Sequence, residues 1–266
     1  MTSKLYDPLS QLPDHKLIIV LEFVGTCASK DSASVLVQAR VDQSPDSNWE
    51  TKWKALSEKS GTEIAGCLNR EKTFGVIGEK MASGGEYKYE KLRTIFEDIA
   101  ILEKEAITRV ERSRLLRNLS SENLKAAALK MELRSEKNVH SNELAFDEVS
   151  VTTGDIERQV ESALDKLELF REEIRKITKG NHTTVFIGSN MLDLLCLVEA
   201  DIGLVISPSP ILTGMAKHFG VSLLPLITDS VKRKRQLKGL QLWEKKPGVI
   251  YTVSCWAEIQ AFILGR

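Results

Sequence analysis

The chain has 266 residues, 42% of them apolar, and its 37 basic and 37 acidic side chains leave a formal net charge of zero. That length suits one large domain or a core with an inserted cap, and the balanced charge gives no field that would draw in nucleic acid or a membrane surface. Cys27, Cys67, Cys196 and Cys255 never form a CxxC pair and the four histidines are dispersed, which argues against a zinc site and for reduced thiols in a cytosol-like compartment.

Met1-Thr2-Ser3-Lys4 leads into Asp7 and Pro8 with no apolar stretch of the secretory kind. No apolar run reaches the roughly 18 residues of a membrane span. A cytoplasmic protein is therefore expected, with organellar targeting left open. After Pro13 and Asp14, Leu17-Ile18-Ile19-Val20-Leu21 is a continuous, β-branched apolar run and reads as a central parallel strand. Residues 45–139 follow a mostly helical pattern. Trp49, Trp53, Leu56, Ile64 and Leu68 stand at helical spacing, Gly84-Gly85 makes a break, and Tyr87 to Arg117 is a long amphipathic run. Ser120 to Asn123 offers an N-cap for a helix over Leu124 to Leu133.

Glu143 to Val151 and Asp155 to Val160 read as a hairpin around Thr152-Thr153-Gly154. Leu164 to Ile177 is an amphipathic helix. Val185-Phe186-Ile187 closed by Gly188, a helix through Leu192, Leu195 and Val198, and a second buried run Leu204-Val205-Ile206 make a βαβ unit and so a parallel sheet. In such sheets ligands sit at the carboxyl ends of the strands, which points to Gly188-Ser189-Asn190. Leu212 to Phe219 reads as a short helix, and Val221 to Ile227 and Val249 to Val253 as strands. The basic run Lys232 to Arg235 could address a nuclear-import receptor or a polyanion; its shortness and the zero net charge favour a solvated loop.

The segment from Gly188-Ser189-Asn190-Met191-Leu192-Asp193 to Glu199-Ala200-Asp201-Ile202-Gly203 resembles the fourth motif of haloacid dehalogenase (HAD) superfamily phosphatases. It is most similar to the HAD domain that follows a thiaminase-II-like domain in bifunctional plant thiamine-salvage proteins. Lys30-Asp31-Ser32-Ala33 and Tyr251 to Glu258 carry the same resemblance. It implies a Rossmannoid parallel sheet, with a HAD-like α/β core at 1–44 and 140–266 and an α-helical cap at 45–139. It also implies hydrolysis of thiamine monophosphate or a similar small phosphate ester with Mg2+, and no nucleic-acid or membrane partner. By the family's pattern, Glu22 takes the nucleophile position and Val24 the acid/base position. Thr26 and Gly188 line the phosphate, and Lys166 neutralises it. Ser189 and Asp193 take the acidic metal positions. Without the resemblance, Lys166 reads as a surface lysine and Asp193 as a helix cap.

The departures carry as much weight as the matches. Glu22 is one methylene longer than the family's aspartate, and a misplacement of about an ångström costs roughly a hundredfold in rate. Val24 cannot transfer a proton, and Ser189 replaces a carboxylate that magnesium prefers. The family's second-motif strand, which ends in a phosphate-binding hydroxyl, has no counterpart. Leu133-Arg134-Ser135-Glu136-Lys137 runs straight into Asn138 to Glu143, so a strand and its crossover helix are expected to be absent. The resulting expectation is a HAD-like protein with impaired catalysis and weak or absent Mg2+ binding. The alternatives are a noncatalytic homologue that binds a phosphorylated ligand or a partner protein, and a truncated or spliced product.

Overall fold

The computed structural model describes residues 16–22, 26, 32–44, 48–75, 88–114, 140–177, 182–226 and 245–264. Val24, the break at Gly84-Gly85, the helix expected over Leu124 to Leu133, the junction after Leu133 and the basic run at Lys232 to Arg235 lie outside them. The backbone groups into two compact units, residues 1–27, 81–92 and 167–266, and residues 28–80 and 93–166.

The first unit holds a five-stranded, all-parallel sheet. Its strands are β1 (Lys16–Leu21), β4 (His182–Gly188), β5 (Ile202–Ile206), β6 (Ser222–Pro225) and β7 (Val249–Val253), in the order β1-β4-β5-β7-β6. The apolar runs sit where a parallel sheet needs them. Residues 183–188 of β4 are all buried, as a strand covered on both faces requires. Val185, Ile187, Ile202, Leu204, Tyr251 and Val253 form one core with Leu226 and Ile259. A short 3-10 turn (Met191–Asp193) and helix α5 (Leu194–Glu199) join β4 to β5. A Cβ on Gly203 would collide with the carbonyl of Leu197, so glycine there sets how closely α5 returns to the sheet. Helix α6 (Pro210–His218) starts on Ser209, whose hydroxyl accepts the Leu212 amide at 3.2 Å, with Pro210 at its first position.

β1 corrects one expectation. It is a parallel strand, but not a central one: among the described residues it pairs with β4 alone and forms the edge of the sheet. Among the described residues nothing pairs with its other side, where the sequence leads one to expect the second-motif strand to be absent. On one face of β1, Ile19 is 41% and Leu21 46% exposed. The segment around Leu144 to Phe146 does not fill the place. It pairs instead within a separate two-stranded ladder.

The second unit contains α1 (Ser32–Gln43), α2 (Trp49–Gly75), the hairpin β2 (Glu143–Phe146) and β3 (Thr152–Glu157), most of α3 (Tyr89–Arg112) and the start of α4 (Ala163–Ile177). Val37 is packed by Leu36, Val41, Trp49, Trp53, Val110, Leu144 and Ile156. The hairpin turn falls at 147–151, not at Thr152-Thr153-Gly154. Asp147 decides this, because its Oδ1 accepts the amides of Val149 and Val151 at 3.0 and 2.9 Å, and Ser150 takes a φ of 60°. The Thr-Thr-Gly sequence is left in the strand.

The edge position of β1 makes a residue-level prediction. The Glu22 amide donates to the Ile187 carbonyl at 2.9 Å, so with the two-residue period the amides of Ile18 and Val20 also face β4. Those of Leu17, Ile19 and Leu21 face away. Hydrogen exchange should find the first pair protected and the second set fast; uniform protection across 17–21 would mean that the edge is covered.

Candidate functional site

The carboxyl ends of β1 and β4 meet because the register pairs Leu21 with Ile187, and the Glu22 amide extends the ladder by one step. Glu22 therefore stands level with Gly188, the residue before Ser189. From there the chain makes one tight turn. Asp193 reaches back so that its Oδ2 accepts the amides of Ser189 at 2.9 Å and Asn190 at 3.0 Å. Asn190 Oδ1 in turn accepts the Leu192 amide at 2.7 Å, completing a reciprocal cap. The Asp193 side chain is wholly buried, at 0% exposure.

Gly188 is fixed by the same carboxylate. A Cβ at position 188 would lie 2.7 Å from Asp193 Oδ2 and 2.8 Å from its Cβ and Cγ. The glycine is thus required by close approach, and Gly188 and Asp193 form one structural unit. Thr26 is 7% exposed, and its Oγ1 has no hydrogen-bond partner among the described residues. Its carbonyl accepts the indole N–H of Trp256 at 3.0 Å. That bond ties the loop after β1 to the first residue of helix α7 (Trp256–Leu264), which leaves the carboxyl end of β7.

The structure thus brings Glu22, Gly188, Ser189 and Asp193 together and tethers Thr26 through Trp256. Lys166 belongs to the second unit, in the first turn of α4, where its amide donates to the Ser162 carbonyl at 3.0 Å. Its charge lies near Glu103, a half-buried residue of α3 that accepts the Ala163 amide at 3.2 Å. Burial pushes the Glu103 carboxyl up to about 7, against the Ala163 hydrogen bond and the Lys166 charge, which both lower it, and with Asp165, which raises it. Sequence reasoning missed the roles of Asn190 and Trp256. The Asn-x-x-Asp spacing of a cap was there to find the first; a bond across 230 residues gave no local signal for the second.

HAD-family phosphatases generally use Mg2+. The donor set described here does not suit that ion, which takes hard oxygens, mostly carboxylate and water, in near-octahedral geometry. One oxygen of Asp193 is committed to two amides beneath Gly188, and position 189 supplies only a hydroxyl. Among the described residues no three His, Cys, Asp or Glu side chains gather closely enough to hold a metal.

No family model matches the chain. It is 30% identical over 312 aligned positions to the bifunctional TH2 protein, mitochondrial, of Arabidopsis thaliana, with 94% of this chain and 49% of that protein covered. The chain thus spans about half the length of the curated relative it matches. Since 94% of the chain is only about 250 residues, about sixty positions of the plant protein have no counterpart here. Among solved structures, a substrate-bound phosphoserine phosphatase aligns with a TM-score of 0.38 and 16% identity, over 76% of this chain and 90% of that one. A HAD family hydrolase from Salmonella enterica serovar Typhi gives 0.37 and 13%, over 74% and 64%.

Two predictions follow from the geometry. Asp193→Ala strands two part-buried amides beside a buried side-chain position, and should lower stability by roughly 2–4 kcal/mol in urea unfolding; a loss below about 0.5 kcal/mol would show that the turn holds without it. For Glu103, the folded value of about 7 lies above the ordinary 4.5, so its contribution to stability is full below about 4.5 and is lost as pH rises through 7. Glu103→Gln should therefore unfold at higher denaturant than the parent at pH 8 and at a similar one at pH 4; identical pH profiles would contradict this.

Proposed function

We propose that this chain, a HAD-superfamily domain related to the TH2 protein over about half of that protein's length, binds a small phosphate ester of the thiamine monophosphate type and hydrolyses it poorly or not at all. The observation that carries the reading is the state of Asp193. Its carboxylate serves the fold of the turn, holding Ser189 and Asn190, at a position where the family uses acids for chemistry. The rest of the machinery agrees. Glu22 places its carboxylate one methylene too far along, and Val24 offers no proton to the leaving oxygen.

Binding needs less than turnover. Ser189 keeps a hydroxyl at the carboxyl end of β4, and the buried Thr26 hydroxyl, without a partner among the described residues, is a further donor that a phosphate oxygen would satisfy. Magnesium affinity near Glu22 is correspondingly weak in this reading. No helix among the described residues is long and apolar enough to cross a membrane. Cys67, Cys196 and Cys255 stand outside any disulfide among the described residues, which suits a reducing compartment, the cytosol or an organelle such as the one in the relative's name.

The test is phosphate release from thiamine monophosphate with magnesium, alongside calorimetric binding of the same ester. We expect binding, with release at the level of the buffer. Release should stay low in the triple variant Glu22→Asp, Val24→Asp, Ser189→Asp, because the strand with the second phosphate-binding hydroxyl is not restored. Brisk turnover by the parent chain would overturn the impaired site, and absence of binding would overturn the ligand class.

A further inference from the structure

Trp256 opens α7, and its place on that helix is informative. Ile259 is buried in the sheet core, and Phe262 and Ile263 pack against it. Trp256 lies three residues before Ile259 and seven before Ile263, so the helical period puts it on the same core-facing stripe. The helix starts at the carboxyl end of β7, so its first residue stands where that stripe runs off the sheet. There the indole is 41% exposed although its N–H is already committed to the Thr26 carbonyl at 3.0 Å. Thr26 in turn follows Glu22, which sits level with Gly188 and next to Ser189.

An indole whose N–H is spent keeps no donor for a ligand, and its remaining exposed surface is aromatic. The face of an indole attracts planar apolar groups and, most strongly among aromatic side chains, cations. Glu258, two residues into α7, adds negative charge at the start of the same helix, where its Oε2 accepts the Ser254 amide at 3.3 Å.

We propose that Trp256 is a binding residue for the leaving group, forming a wall that stacks a planar, positively charged ring joined to the bound phosphate. This rests on the phosphate-ester reading above and narrows it: esters of cationic heterocycles are preferred to aliphatic ones and to phosphate itself.

Calorimetry on the full chain, with thiamine monophosphate and inorganic phosphate as separate probes, tests the assignment. Trp256→Ala should weaken the ester about tenfold, the scale of a lost cation–π contact, and change phosphate affinity less than twofold. An equal loss for both probes would make Trp256 only a brace for Thr26, and no loss for either would remove it from the site; each overturns the proposal. If Trp256→Ala does not fold, tryptophan emission replaces it. The ester but not phosphate should quench the parent chain, and Trp256→Phe should lack that quench; a quench that survives in Trp256→Phe overturns the assignment. A parent chain that binds phosphate but the ester no more tightly sinks the ring contact alone, whereas one that binds neither sinks the phosphate-ester reading and this inference with it.

Discussion

The carboxylate of Asp193 fixes the turn on which the carboxyl edge of the sheet is built. Its Oδ2, on a side chain wholly buried, accepts two consecutive part-buried amides, those of Ser189 and Asn190. A buried donor left unmet costs on the order of 1–3 kcal/mol. The acceptor also dictates its neighbours. Gly188 has to be glycine because a Cβ there would lie 2.7 Å from the same oxygen, and Asn190 caps the turn that Asp193 ends. Beyond the turn, residues 194–198 are all buried, so an error at 193 would be passed directly into the core.

β1 is the sheet's other constraint. Its sequence is that of an interior strand, with five apolar residues in a row, yet among the described residues it has one neighbour. Edge strands that belong at an edge usually carry charges, prolines or bulges that discourage pairing, and Leu17 to Leu21 carries none. Among the described residues β1 is thus an edge strand with the composition of an interior one. β4, β5 and β7, which hold most of the core, lie to one side of it.

Much of this was legible in the sequence for a definite reason. A parallel strand buried on both faces leaves a continuous apolar run, so β4, β5 and β7 could be read from residues 185–187, 204–206 and 249–253. The order of the strands in the sheet leaves no such mark, and β1 read as central because its composition is still that of a central strand. The hairpin misled for a different reason. Thr152-Thr153-Gly154 has turn composition, but Asp147 accepts two amides of its own loop, and that local bond outweighs a glycine's freedom. At the carboxyl edge, Glu22, Gly188, Ser189 and Asp193, which the fold places near one another, were singled out through motif positions. The bond from Trp256 to Thr26 was not, since only the folded sheet brings together residues 230 apart.

The serine at 189 is better understood from the turn than as a simple loss. A carboxylate there would belong to the residue whose own amide is bound by Asp193, placing two negative groups side by side at the end of β4. In an active HAD phosphatase a cation can compensate such a pair. Without one, close carboxylates repel, and the pair can persist only by taking up a proton or distorting the turn. Ser189 avoids that repulsion, and the amide dipoles of Ser189 and Asn190 that Asp193 accepts hold the turn without a second acid beside it.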